Sequence, residues 1–427
     1  MSDIAAVLAA RPPQLHLSPG FLRGEVTPPA SKSCAHRALL CAALADMRPV
    51  GTGLEDRSIL TGLGEPSEDI LRTMDCMRQL TGTGDTLDCG ESGTTLRLLV
   101  PLAAALGRPV VFTGRGRLGA RPIREYAEAF AGHGAQLVFP DRDGWALPLR
   151  VKGRLRPGRY EIPGHLSSQY VSGLLLALPL LSGDSELVLT SPLQSAPYVD
   201  LTIGIQRVFG VEIEQMAASE SHKPASDMPF GGYRVRGGQW YRPARYEVEA
   251  DYSHAAFWLA ANRLGGDIRV AGLPEHSLQG DRAIVDWLAR LADREQSAEG
   301  TLVIDASQIP DLVPVLAVTA ACTPGETRFV HAERLRLKES DRLAATADSL
   351  ASIGADICVT TDGLLVRGQT LLRGGEARSW NDHRIAMSLA VAATRTREGV
   401  TLYDPWCVDK SYPGFFRDYV SLGGGLS

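Results

Sequence analysis

The sequence predicts an α/β protein of two similar globular domains, each holding three copies of one α/β unit. Three observations carry that expectation. The chain has 427 residues, 44% of them hydrophobic and 22% charged, a globular composition long enough for two domains. Six small polar turns run straight into Ala/Leu-rich helical stretches at intervals of roughly 60 to 85 residues, longer than a solenoid period. Strand patterns rich in β-branched residues, such as Pro109-Val110-Val111-Phe112 and Glu186-Leu187-Val188-Leu189, are interleaved with them.

Taken in order, Leu15-His16-Leu17 reads as a first strand, and Pro28-Pro29 then leads to Ser31-Lys32-Ser33-Cys34-Ala35-His36-Arg37. This stretch opens a helix, because a serine hydroxyl accepts amide hydrogens that the first turn leaves unpaired. Lys32 and Arg37 sit where the helix dipole is already positive, a conflict that an anion between them would remove. Residues 67–80 are amphipathic, with Ile70, Leu71, Met74, Met77 and Leu80 at helical spacing. Thr86-Leu87-Asp88-Cys89 is strand-like and leads to Gly90-Glu91-Ser92-Gly93-Thr94-Thr95-Leu96-Arg97, where a polar turn, a helix start and a first-turn cation recur together. Similar turns return at Gly164-His165-Leu166-Ser167-Ser168-Gln169, Ala250-Asp251-Tyr252-Ser253-His254, Ile309-Pro310-Asp311 and Trp380-Asn381-Asp382-His383-Arg384. With three units per half, residues 1–30 plus 250–427 form the first domain and residues 31–249 the second. The chain then crosses between domains near residues 27–31 and 246–251.

Several function classes are disfavoured by composition. A net charge of -5 and a pI near 6.0 argue against a nucleic-acid or anionic-membrane surface, so any basic site must be local. The first twelve residues lack the basic flank of a targeting peptide, and the apolar run 171–181 is short and contains Pro179, which fits a buried helix better than a membrane span. A cytoplasmic monomer is the expectation. Cys34, Cys41, Cys76, Cys89, Cys322, Cys358 and Cys407 are scattered without paired or metal-ligand spacing, as expected for reduced thiols and no bound metal.

The most charged segment is Arg334-Leu335-Arg336-Leu337-Lys338-Glu339-Ser340-Asp341-Arg342. Read as a helix, it stacks Arg334, Lys338 and Arg342 on one face, where like charges repel and an anionic ligand would compensate. Glu339 beside these cations is a candidate acid or base, or a simple surface pair. Asn381-Asp382-His383-Arg384 again puts cations in a first helical turn, and Arg121-Pro122-Ile123 and Val408-Asp409-Lys410-Ser411-Tyr412-Pro413 add cations beside prolines. Gly114-Arg115-Gly116-Arg117-Leu118-Gly119 matches GxGxxG, with Asp141 beyond it, but Pro122 and three arginines crowd the turn and a dinucleotide fingerprint normally opens its domain. The chain has no GxSxG, P-loop, HExxH or paired-Cys motif. Cations, two or three carboxylates and six helix starts suit proton transfer between anionic substrates without a cofactor.

These motifs, in this order, resemble the enolpyruvyl transferase family. The resemblance spans nearly the whole chain: Ser31-Lys32-Ser33 with Arg37, Ser92-Gly93-Thr94, Arg121-Pro122-Ile123, Ser167-Ser168-Gln169, Ser195 with Pro197-Tyr198, Pro310-Asp311, Leu337 to Arg342, Asn381 to Arg384, and Lys410-Ser411-Tyr412-Pro413. It implies two domains, each of three βαβαββ units arranged as an inside-out α/β barrel, with the site in a cleft between them. It also implies transfer of the enolpyruvyl group of phosphoenolpyruvate to the 5-hydroxyl of shikimate-3-phosphate, a step towards chorismate and aromatic amino acids, with phosphate released. Residue by residue, Lys32, Ser33, Arg37, Ser167, Ser168, Gln169, Ser195, Asp311 and Lys338 would hold shikimate-3-phosphate. Lys32, Gly93, Arg121, Gln169, Arg342, Arg384 and Lys410 would hold phosphoenolpyruvate. Lys32 and Glu339 would deliver the proton to the methylene carbon, Asp311 would take the hydroxyl proton, and Tyr198 and His383 would support the site.

Four positions depart from the family pattern. Ala196 stands where Lys or Arg is frequent, Arg334 where Asn is common, His254 where Ser is usual, and Leu98 where Pro often follows the arginine of the glycine turn. They leave two alternatives open: a specialised enolpyruvyl transferase acting on another cyclic alcohol, and the sister enzyme that acts on a UDP-amino sugar. The latter resembles the same fold but usually carries a catalytic cysteine in a loop that corresponds here to residues 113–121, which contain none.

Overall fold

Six helices in this chain begin where a short polar side chain accepts an amide of the first turn. Ser31 accepts from Cys34 N at the head of the Lys32–Asp46 helix, Ser92 from Thr95 N before Gly93–Leu106, and Ser167 from Gln169 N before Ser168–Ala177. Asp251, Asp341 and Asp382 do the same before Tyr252–Arg263, Arg342–Ser352 and His383–Ala393. Each cap stabilises its helix by about 1 kcal/mol. Others start without such a cap: Val313–Ala321 follows the 3-10 turn Pro310–Leu312, and Glu68–Thr81 and Arg124–Ala129 have no side-chain hydrogen bond at their N-cap. The computed structural model describes residues 2–47, 57–120, 123–139, 147–217, 230–297 and 300–427. Arg121, Pro122 and Asp141 lie outside them.

Three stretches repeat one βαβαββ pattern. In the first, Thr86–Asp88 runs parallel to Val111–Thr113 with the Gly93–Leu106 helix between them, and the hairpin of Ala135–Val138 and Leu149–Gly153 then adds antiparallel. Arg159–Ile162, Ser185–Leu189, Ile213–Met216 and Gly232–Val235 form the second sheet, and Leu302–Asp305, Gly325–Val330, Asp356–Val359 and Leu364–Gly368 the third. In every copy the spatial order is first, second, fourth, third strand. A further sheet borrows from the start of the chain: Gly375–Arg378 lies parallel to Val400–Tyr403, and Gln14–Leu17 pairs antiparallel with the latter.

Two compact units result, Met1–Pro29 with Ala250–Ser427 and Ala30–Glu249. Each closes with a two-stranded parallel pair, Arg23–Val26 with Asp267–Val270 in one and Ile59–Thr61 with Arg245–Glu247 in the other. Each has its own continuous apolar core. The helices following the first strand of a repeat form that core: every residue of Val313–Ala321 and of His383–Ala393 is buried. Such all-round burial needs close helix contacts, and Gly173 provides one, because a Cβ there would stand 2.3 Å from the Tyr126 hydroxyl and 2.5 Å from the Arg97 carbonyl oxygen.

Two expectations change. The charged segment is not one helix: Glu333–Leu337 is a 3-10 turn, Lys338 is extended, and the α-helix starts only at Arg342. Asp341 explains the break, since an aspartate that caps a helix must itself lie outside it. The supposed face of stacked cations therefore does not exist. In the GxGxxG stretch, Gly116–Ala120 forms a 3-10 turn, so no long helix begins there to receive a dinucleotide phosphate. All seven cysteines are free thiols, six of them buried and Cys358 exposed. Among the described residues no helix is long and apolar enough to cross a membrane.

Candidate active site

In the unit formed by Met1–Pro29 and Ala250–Ser427, the turn at Pro310, the extended Lys338 and two helix starts bring their charges to Asp311. Its Oδ1 accepts from Arg342 Nη1 at 2.9 Å and from Lys338 Nζ at 3.3 Å, while Oδ2 lies 3.3 Å from Arg384 Nη2. Burial alone would push this carboxyl up, but Arg384, Lys338 and Arg342 together hold it well below the usual carboxylate range. Lys338 moves down, through burial first and then Arg342 and Arg334, with Asp311 and Glu339 opposing.

Arg342 is 1% exposed and is the hub. Its Nε donates to Asp382 Oδ2 at 2.9 Å, and Nη2 donates to Glu339 Oε2 at 2.5 Å and Asp382 Oδ1 at 3.3 Å. Burial opposes its charge, yet Asp382, Glu339 and Asp311 more than compensate and raise its pKa. With the bond to Asp311, four of the five guanidinium N–H groups are engaged within the unit. Asp382 is wholly buried; it also accepts from Ser340 Oγ at 3.0 Å and caps Arg384 N at 2.9 Å. Three carboxylates, Asp311, Glu339 and Asp382, thus balance three cations, Lys338, Arg342 and Arg384. Lys410 donates to the carbonyl of Asn381 at 3.2 Å, and His383 is buried at the first position of its helix.

Asp281 was not singled out in the sequence. It is 1% exposed, accepts from Ser253 Oγ, and is pushed up to about 6 by burial and by Asp311, with Arg384 and Ser253 opposing and Asp251 adding.

In the Ala30–Glu249 unit, Lys32 meets Asp69 at 3.1 Å, both side chains being partly exposed. Arg37 is 2% exposed, and its four hydrogen bonds go to Thr202 Oγ1 at 2.6 Å, the Ser33 carbonyl at 2.8 Å, the Tyr198 carbonyl at 3.0 Å and Ser172 Oγ at 3.4 Å. None of these is a carboxylate. Burial pulls its pKa down to about 10, which leaves it charged at neutral pH. Gln169 is fixed in both directions, donating to Thr94 Oγ1 and accepting from Arg97 Nη1, each at 2.8 Å. Ser167 caps this helix, Ser168 is buried in its first turn, and Ser195 is held in the left-handed region at φ 56.

Gly93 begins its helix directly after the Ser92 cap. A buried chain steadies that turn: His36 Nδ1 to Thr73 Oγ1, Thr73 Oγ1 to Thr95 Oγ1 and Thr95 Oγ1 to Ser92 Oγ, each 2.7 Å. It ties the second turns of Lys32–Asp46 and Glu68–Thr81 to the first turn of Gly93–Leu106. His36 stays neutral, because burial, with Lys32 and Arg37 and against Asp69, pushes it down to about 3.

Within its own unit, the structure brings Asp311, Lys338, Glu339, Arg342 and Arg384 together. Asp382, the buried acceptor that holds Arg342, was not foreseen as its partner in the sequence, although an aspartate immediately before an apolar helix was a visible signal. Asp69 was masked as an ordinary acid of a helix first turn.

The EPSP synthase family model, described as 3-phosphoshikimate 1-carboxyvinyltransferase, matches residues 18–419. The chain is 40% identical over 430 residues to the 3-phosphoshikimate 1-carboxyvinyltransferase of Clostridium acetobutylicum, covering 96% of this chain and 97% of that one. It is 40% identical over 442 residues to that of Clostridium perfringens, covering 96% and 98%. An EPSP synthase structure from Acinetobacter baumannii superimposes with a TM-score of 0.75 at 25% identity, covering 97% of this chain and 99% of the other.

Proposed function

The chain belongs to the EPSP synthase (3-phosphoshikimate 1-carboxyvinyltransferase) family, and from that premise we propose that it transfers the enolpyruvyl group of phosphoenolpyruvate to the 5-hydroxyl of shikimate-3-phosphate. The observation that carries the assignment of roles is the Asp311 carboxylate gripped by Lys338, Arg342 and Arg384. A carboxylate so held is a weak base. An arriving phosphate or carboxylate competes for the same three cations, and as they turn to it Asp311 regains basicity as the hydroxyl needs an acceptor.

Because the three cations are already balanced by three carboxylates, the substrate charge draws further on Lys410, Lys32 and Arg121. Arg342 and Arg384 orient phosphoenolpyruvate, and the amides at Gly93 and the amide of Gln169 face its anionic groups. Ser33, Ser167, Ser168, Ser195, Gln169 and Lys338 hold shikimate-3-phosphate. Arg37, buried with no carboxylate among its hydrogen-bond partners, serves the acceptor's carboxylate directly and through Ser33. Tyr198 and His383 support these contacts.

One proton reaches the methylene carbon from the donor pair Lys32 and Glu339, Glu339 taking up a proton as Arg342 turns from it to the substrate; the 5-hydroxyl oxygen bonds to the adjacent carbon as its proton passes to Asp311, and loss of phosphate with one methyl proton, returned to the donor pair, restores the double bond. The steps need only proton transfer and charge stabilisation. The protein acts as a cytoplasmic monomer in this reading. The test is release of inorganic phosphate by the purified chain, expected only when both substrates are present. No release with both would overturn the reading, and release with another cyclic alcohol or a UDP-amino sugar in place of shikimate-3-phosphate would redirect it.

A further inference from the structure

The family model begins at residue 18, yet the segment before it reaches the turn that carries Lys410. The Ser2–Ala10 helix lays Ile4, Val7 and Leu8 against the apolar core of its unit. Arg11 then takes a left-handed conformation at φ 50, with its amide on the Val7 carbonyl, and turns the chain along the 3-10 helix Pro405–Lys410. Four contacts follow within three residues. The Arg11 guanidinium pairs with Asp409 Oδ2 and lies 4.5 Å from the centroid of the Trp406 ring, the Trp406 indole donates to the Pro12 carbonyl at 2.7 Å, and Asp404 N donates to the Pro13 carbonyl at 2.9 Å.

Asp409 precedes Lys410 directly. Its Oδ1 is buried and has no hydrogen-bond partner among the described residues, so Arg11 is what anchors this carboxylate. We infer that Arg11 is a positioning residue for phosphoenolpyruvate binding: paired with Asp409 and lying over Trp406, it fixes the turn that aims Lys410. The inference rests on the assignment of Lys410 to phosphoenolpyruvate proposed above.

The pair is partly exposed, with side chains 48% and 36% accessible, so its effect is modest. In steady-state assays of the full chain, Arg11→Ala and Asp409→Ala are each expected to raise KM for phosphoenolpyruvate roughly two- to fivefold, leaving kcat and KM for shikimate-3-phosphate within about twofold. The double variant should be no worse than either single one, and Arg11→Lys should recover part of the loss. General destabilisation would move both KM values and kcat together, and that outcome, or an unchanged KM in Arg11→Ala, overturns the inference alone. Absence of turnover by the unaltered chain refutes the proposed function and, with it, this role for Arg11.

Discussion

Removing the Asp382 carboxylate should destabilise the chain in a way that separates the ion pair from the helix cap. Asp382 is 0% exposed, holds Arg342 at 2.9 Å and 3.3 Å, accepts from Ser340 Oγ, and caps the helix through Arg384 N. Breaking a buried ion pair from one side costs about 3–5 kcal/mol, because the remaining charge is stranded, and loss of a cap adds about 1 kcal/mol. Asp311 and Glu339 still face Arg342, which sets the pair term at its lower end, so Asp382→Ala should lose about 4 kcal/mol in all. Asp382→Asn keeps an oxygen for Arg384 N and should lose about 1 kcal/mol less. In urea unfolding at pH 7.5, read by circular dichroism, the alanine variant should shift the midpoint down by about 1–2 M. The double variant Asp382→Ala/Arg342→Met strands no guanidinium and should regain part of the loss. If Asp382→Ala lost under about 1 kcal/mol, or if the double variant were the least stable of the three, the stranded-charge argument would be wrong.

Glu339→Ala and Lys32→Ala should each lower kcat by about 100-fold or more, the usual contribution of a positioned acid, with circular dichroism unchanged; a wild-type rate in either removes that residue from the proton-donor role. Asp281 gives a pH signature. Its carboxyl stands at about 6 folded against 3.8 as reference, so the folded chain binds more protons between those values and stability falls as pH rises through them, by about 3 kcal/mol. Asp281→Asn should therefore gain stability relative to the unaltered chain between pH 4 and pH 7 in thermal melts, and parallel pH curves for the two would contradict this.

The repeats were legible because each rests on local chemistry. A serine or aspartate before an Ala/Leu run marks a helix start wherever it occurs, and strand, helix and strand follow within one short stretch. Why the first-turn cations are tolerated was not legible. Read alone, Lys32 and the Arg334–Arg342 segment call for an external anion, whereas the chain supplies much of the counter-charge itself, Asp69 for Lys32 and Asp311, Glu339 and Asp382 for Arg342. Those partners come from separate elements, and nothing in the spacing of residues 311, 342 and 382 announces that they meet. Arg37 differs: its neighbours are hydroxyls and carbonyls, so its charge has no acid in its hydrogen-bonding shell.

The borrowed strand at Gln14–Leu17 has a consequence for the order in which the protein assembles. Residues 30–249 emerge as an uninterrupted stretch and can acquire their core while synthesis continues. Leu15, by contrast, pairs with Leu402, so at about 5–20 residues per second the first strand waits roughly 20–80 s for its neighbour. Throughout that delay it is an unpaired edge with apolar residues on one face, open to the wrong neighbour. The early half of the nascent chain therefore folds around a loose end, and completion of the other half is the step at which crowding, chaperones or a slowed ribosome can alter the yield.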